Sequence, residues 1–249
     1  MTTVPTHQQW RPTTPSASAP SAASSSTASR SVEVASLPTE VTSVRAAPPD
    51  ALSDAPPQNI DSRPTVDQAA AQRAVTDLLR ALGRDPDSPH LRETPRRVAA
   101  AFAELLTPEP FTLTTFPNDH GYDELVLAKN IPFSSLCEHH LLPFSGVAHV
   151  GYLPGERIVG LSKLARVVRM FARDLQVQER LTTQIADFLA EQLHPVGVGV
   201  ILEAEHLCMS LRGVRAPGSR TVTSRLLGAL RDDPCIRQEF FARTGVTEA

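Results

Sequence analysis

Glycine is absent from the first 82 residues of this 249-residue chain, whereas 10 of its 22 prolines lie at or before Pro64. Between those prolines run stretches such as SASAPSAASSSTAS, and Trp10 is the only aromatic side chain before residue 65. A segment so poor in large apolar groups cannot bury enough surface to offset its conformational entropy. Residues 1–64 therefore read as a disordered Ala/Pro/Ser/Thr-rich tail. The fold must come from residues 65–249, a length that suits one domain. The chain is 41% hydrophobic and 20% charged, and its 24 basic against 27 acidic residues give a formal charge of −3. That balance allows a well-buried core and argues against a strongly basic nucleic-acid binder. No apolar run approaches the roughly 20 residues that a membrane span needs. The N-terminus has no basic start followed by an apolar core, so it does not read as a secretory signal. Three cysteines are too few, and odd in number, for a disulfide framework, so a cytoplasmic protein is expected.

Periodicity supplies the elements. Val75, Leu78, Leu79 and Leu82 recur at helical spacing within residues 66–82, and Gly83 follows as a stop. In ETPRRVAAAFAELL, Pro95 occupies a first-turn position where its missing N–H costs nothing, which predicts a second helix. Strands are expected over Asp123–Phe133 and Gly146–Pro154. Ser162 suits an N-cap for the helix KLARVVRMFAR. A longer helix, VQERLTTQIADFLAEQL, repeats apolar residues at Leu181, Ile185, Phe188 or Leu189, and Gln192 or Leu193. A buried strand, VGVGVILEAEHLCM, and a shorter one around SRTVTS complete the order. Helices, strands, helices, strands favour an α+β domain with a mostly antiparallel sheet.

The densest chemistry lies at Cys137-Glu138-His139-His140. A cysteine and a histidine three apart can offer sulfur and nitrogen to one ion, and zinc tolerates such mixed ligation. By itself the spacing is a weak signal and also suits a buried cysteine beside two partly exposed histidines. Cys208, in His206-Leu207-Cys208, could return as a third ligand. Three protein ligands would leave a fourth position open, the catalytic rather than structural arrangement. Cys235, in DDPCIRQ, reads as an ordinary thiol. His139 and His206 neighbour the candidate ligands and suit either proton exchange near neutral pH or packing. Lys163 and Arg166 lie one turn apart at a helix start, and Arg212 and Arg215 follow Cys208. They can dock a polyphosphate or form a solvated basic face. The chain has neither G-x-x-x-x-G-K-[ST] nor G-x-G-x-x-G, so any nucleotide must be held by side chains and helix ends. Gln178-Glu179 opens a helix, where Glu179 can complement the dipole or accept two parallel N–H bonds from guanine.

The segments SLCEHHLLPFSGVAHVGYLP, IVGLSKLARVVRMFARDLQVQERLTTQIADFL and EAEHLCMSLRGVRAPGSRTVTS resemble, in order and separation, the signature segments of GTP cyclohydrolase I. TPRRVA, GYDELVLAKNIPF and TSRLLGAL agree, so the resemblance covers roughly residues 66–231. It implies the tunnelling fold: an antiparallel sheet backed by helices, with N-terminal helices about 66–106, a core about 123–231, and subunits closing a barrel edge to edge. The implied assembly is a homodecamer of two pentamers with active sites between subunits.

Carried over by position, Cys137, His140 and Cys208 would ligate one Zn2+ per subunit. His139, His206 and Ser162 would be catalytic, the histidines moving protons around the guanine ring. Glu179 with Gln178 would anchor guanine. Ser162, Lys163, Arg166 and Arg212 would hold ribose and triphosphate, and Arg97 would add a further positive charge. The implied reaction opens the purine of GTP at C8, releases formate and rearranges the ribose to give 7,8-dihydroneopterin triphosphate. That is the first step of folate or tetrahydrobiopterin-type pterin synthesis. Ala100 and Ala216 stand where many relatives carry a basic residue, Arg220 replaces a lysine, and Ser134 replaces an aromatic. Two alternatives remain at this level: a nitrile reductase acting on a 7-deazaguanine, and a zinc-stabilised scaffold without catalysis.

Overall fold

The computed structural model describes residues 66–110 and 112–246, so the expected tail lies outside the described residues. Two helices, α1 (Gln68–Ala81) and α2 (Thr94–Leu106), pack against each other. Asp67 caps α1 by accepting the Ala70 N–H at 2.9 Å, which starts the helix two residues later than expected. Gly83 ends it at φ 71°, a conformation that favours glycine. Pro95 lies in the first turn of α2, as its missing donor allows.

The core is a five-stranded sheet. Its antiparallel strands β2 (Val126–Cys137), β3 (Pro143–Leu153), β6 (Gly197–His206) and β7 (Thr221–Gly228) run in that spatial order, with β5 (Leu175–Gln176) parallel on the outer side of β2. A small separate ladder joins β1 (Thr115–Pro117) to β4 (Arg157–Val159). Alternate residues of β3 and β6 (Ala148, Val150 and Tyr152 with Val198, Val200 and Leu202) form one buried face. Helices α3 (Leu161–Ala172) and α4 (Gln178–Leu193) cover it with Leu164, Val167, Val168, Leu181, Ile185 and Leu189. Along α4 the stripe is Leu181, Ile185, Leu189 and Leu193, all at most 1% exposed, so Leu189 and Leu193 take the positions left open with Phe188 and Gln192. The result is the expected α+β arrangement of an antiparallel-rich sheet backed by helices. No helix among the described residues is long and apolar enough to cross a membrane.

The second sheet face carries a smaller cluster, where Leu125, Leu153 and Ile201 meet Leu230 of α6 (Ala229–Asp232) and Phe240 of α7 (Pro234–Thr244). A Cβ at Gly199 would lie 2.8 Å from the Phe240 ring, so glycine there lets α7 approach the sheet. Helix α7 was not expected from the sequence, where Cys235 stands in a polar segment. Cys235 is in fact an exposed thiol in the first turn of α7.

Other boundaries differ as well. Ser162 is not the N-cap of α3, because Gly160 occupies that position. Its N–H is held by the Thr114 carbonyl at 3.1 Å and its own carbonyl accepts the Lys163 N–H at 2.8 Å, so the turn starts before Ser162. Strand β2 extends four residues beyond Phe133, since β5 pairs with Leu136 and Cys137. The strand expected to run through Met209 stops at His206, where the single turn α5 (Leu207–Ser210) begins.

His149, on β3, is 3% exposed and its Nδ1 has no hydrogen-bond partner among the described residues. Burial holds its pKa below the ordinary value, Glu203 partly offsets this, and Lys129 adds to the depression. Unfolding restores a pKa of about 6.5, so the unfolded chain takes up this proton first as pH falls. The stability that neutral His149 contributes is therefore complete above about pH 6.5 and is lost as pH drops from there through the lower folded value. Denaturant midpoints measured from pH 7.5 down to 5 are expected to fall, and His149→Gln should make that fall shallower. An equally steep decline in the variant would assign the proton uptake elsewhere.

Candidate metal and substrate site

Cys137 closes β2, and the chain turns back on it at once. Its N–H donates to the Leu142 carbonyl at 2.9 Å, and its carbonyl accepts from the N–H groups of His140 and Leu141 at 3.2 and 2.8 Å. Leu141 takes φ 54° to complete this turn. The side chain three residues on is thereby brought alongside its starting cysteine, with Cys137 Sγ 3.6 Å from His140 Nδ1. Cys208 reaches the same point by another route. The β3–β6 register sets Phe144 opposite His206, so the turn after β6 emerges beside the turn before β3. Cys208 Sγ then lies 4.0 Å from Cys137 Sγ, and all three donor atoms fall within 4.8 Å of one another.

That donor set fits a cation. Zinc–sulfur bonds near 2.3 Å and zinc–nitrogen bonds near 2.0–2.1 Å put ligand atoms of a tetrahedral site roughly 3.6–3.8 Å apart. The two edges involving Cys137, 3.6 Å to His140 and 4.0 Å to Cys208, lie close to those values. The Cys208 thiol is pushed above its ordinary pKa by burial and then by the neighbouring Cys137. Two thiolates so close repel one another, and a divalent cation between them reverses that sign. Among the described residues three protein donors meet here, the number that leaves one tetrahedral position for a reactant.

Two histidines flank the group. His139 Nδ1 lies 3.9 Å from Cys137 Sγ, and its exposed ring stands edge-on to His140 with centroids 6.2 Å apart. Glu138, beside it, is held by Arg180 at 2.6 Å. The His206 ring stacks on Phe144, with centroids 4.5 Å apart and planes 1° from parallel.

Gln178 decides the proton on His206. Its amide nitrogen lies 3.0 Å from the Leu202 carbonyl, 2.9 Å from the Thr221 carbonyl and 3.1 Å from Thr223 Oγ1. Backbone carbonyls only accept, so the NH2 must face them and Oε1 must be the atom 2.8 Å from His206 Nε2. His206 therefore donates from Nε2, and its other ring nitrogen, Nδ1, is left to exchange a proton. Burial lowers the His206 pKa, against an opposing pull from Glu179.

The remaining expected residues distribute as follows. Glu179 is exposed in the first turn of α4 and near enough to act on His206 electrostatically. Gln178, expected to share guanine with it, is 1% exposed with both ends of its amide engaged inside the chain; it touches His206 instead. Arg212 is exposed just beyond α5 and acts on the Cys208 thiol. Lys163 donates to the Thr112 carbonyl at 2.7 Å. Ser162 and Arg166 are exposed on α3 and Arg97 on α2, and among the described residues no hydrogen bond or ion pair links them to the Cys–His–Cys group. Phe144 and Thr223, which seat His206 and Gln178, went unnoticed in the sequence because neither type announces a function.

Known proteins resemble this chain closely. The model of the GTP cyclohydrolase I family matches residues 71–245. The GTP cyclohydrolase 1 of Streptomyces avermitilis is 54% identical over 193 residues, covering 74% of this chain and 94% of that protein. The GTP cyclohydrolase 1 of Aquifex aeolicus is 53% identical over 175 residues, covering 70% of this chain and 95% of that protein.

Proposed function

Because the chain belongs to the GTP cyclohydrolase I family and is a GTP cyclohydrolase, we propose that its active centre is one zinc ion per subunit held by Cys137, His140 and Cys208. The observation that carries this reading is the meeting of those three donor atoms within 4.8 Å, beside a histidine whose proton is fixed. Family membership displaces the nitrile reductase and the non-catalytic scaffold.

Zinc bound there would supply Lewis acidity, lowering the pKa of a bound water toward roughly 7. The chain supplies the rest. His139, exposed and beside Cys137, is one proton carrier of the site. His206, held by Gln178 through Nε2, works through Nδ1 as the second proton carrier. Glu179 accepts the N1–H and 2-amino N–H of guanine as a parallel pair. Ser162, Lys163, Arg166 and Arg212 hold ribose and triphosphate, with Ser162 also in the catalytic set. Arg97, exposed on α2, adds a further positive charge for the triphosphate.

Both outer strands of the sheet, β5 and β7, have one partner each among the described residues, which supports subunits joining edge to edge. The assembly on this reading is a homodecamer of two pentamers with shared active sites, working in the cytoplasm. The product is 7,8-dihydroneopterin triphosphate with formate, the entry to folate or tetrahydrobiopterin-type pterins. Incubation with GTP followed by oxidation should yield a fluorescent pterin and an equal amount of formate. Fluorescent product without formate would contradict the ring-opening step.

A further inference from the structure

Between α3 and the chain that leaves α2 lies a cavity of about 190 Å³ lined by Glu109, Pro110, Arg166, Arg169, Met170 and Arg173. The three arginines recur at i, i+3 and i+7, so one face of the helix presents them all. Ser162, four residues before Arg166, begins the same stripe. Arg173 is committed to structure. It lies 3.3 Å from the Glu109 carboxylate and donates to the Thr107 carbonyl at 3.1 Å, tying the cavity wall to α3. Arg166 and Arg169 have neither an ion pair nor a side-chain hydrogen bond among the described residues. The one carboxylate in the lining is therefore already taken, and two unpaired guanidinium groups border a concave recess. Such a recess concentrates positive potential, and guanidinium forks match phosphate oxygens. A pocket enclosing a drug-sized ligand measures roughly 300–1,000 Å³, so this smaller cavity fits a phosphoryl group rather than a nucleoside.

We propose that this recess is a phosphate subsite in which Arg169 grips a terminal phosphoryl group next to Arg166. Arg166 and Arg169 are separated by about 4.5 Å along the helix axis, a step that lets adjoining phosphoryl groups of one chain meet both. Assigning that phosphoryl group to GTP rests on the proposed triphosphate role of Arg166. A free polyphosphate or orthophosphate offers the same chemistry. Arg169 thereby extends the grip along α3 by one further residue.

The test uses the full-length, zinc-loaded protein. Calorimetric titration with sodium tripolyphosphate, and separately with orthophosphate, is compared between wild type and Arg169→Gln. Losing a charge-assisted contact should weaken tripolyphosphate about tenfold, with Arg169→Lys falling between the two. The KM for GTP should rise by a similar factor while kcat is kept. Weaker tripolyphosphate binding with an unchanged KM assigns the subsite to free phosphate rather than to the substrate. Tripolyphosphate and orthophosphate titrations that are identical in wild type and Arg169→Gln overturn the proposal. Arg169-dependent tripolyphosphate binding in a protein that releases no formate from GTP would strike down the proposed function and leave the subsite standing.

Discussion

Cys208→Ala is expected to abolish stoichiometric zinc binding and to lower formate release by about a thousandfold or more, with the fold retained. A Lewis-acidic ion is worth several kcal/mol of barrier, and each 1.36 kcal/mol is a factor of ten. The stability effect should be small by comparison. Cys208 sits in a single helical turn at the edge of the core, packed against the main cluster but not part of its buried set. The burial that holds the domain comes from β3, β6, α3 and α4, none of which loses a contact central to the cluster. A loss of about 1 kcal/mol, typical of a point change, is therefore expected. Zinc content, far-ultraviolet circular dichroism and formate release should be read on the same sample. An unfolded variant would make the metal a structural brace, and a zinc-replete, active variant would remove Cys208 from the ligand set.

Gln178→Leu should lower kcat by roughly 10–100-fold, the usual effect of removing the hydrogen-bond partner that orients a site residue. Leucine keeps the bulk but gives His206 Nε2–H no acceptor. It also leaves the Leu202 and Thr221 carbonyls without the amide that now serves them. Each stranded buried group costs about 1–3 kcal/mol, so a lower melting temperature is expected alongside. The division between kinetic constants carries the argument. Gln178 is buried and touches His206, so kcat should fall while the KM for GTP stays nearly constant. Gln178→Glu restores an acceptor toward His206 and should recover part of kcat. A KM that rises with kcat unchanged would return Gln178 to the guanine contact suggested by its place beside Glu179.

Local pattern made much of this legible. The α4 stripe could be read to within one position, because a 3.6-residue period brings Leu181, Ile185, Leu189 and Leu193 to one face. The Cys137–His140 pair could be proposed because a single turn suffices to join them. Whether Cys208 would join them could not be derived from spacing, since its arrival depends on the β3–β6 register, a pairing between strands some fifty residues apart. Resemblance to a family supplied that link where periodicity could not. The contact of Gln178 with His206 was hidden for a related reason. Its partners lie on β6 and β7, and nothing within α4 distinguishes a ligand-facing glutamine from one that braces a histidine. Helix α7 was missed because only Phe240 and Thr244 are buried along it, too few to set a period, although Asp233 before Pro234 and Gly245 at its end were usable signals.

On the proposed reading, GTP ring opening depends on an ion held by Cys137, His140 and Cys208. The most direct test of that dependence is a zinc titration of metal-stripped, full-length protein at its native assembly size, reading formate released from GTP at each addition. Formate release should be absent at the start, rise linearly and level off at one zinc per subunit. Full formate release from the stripped protein, or none after zinc is restored to that ratio, would contradict the claim.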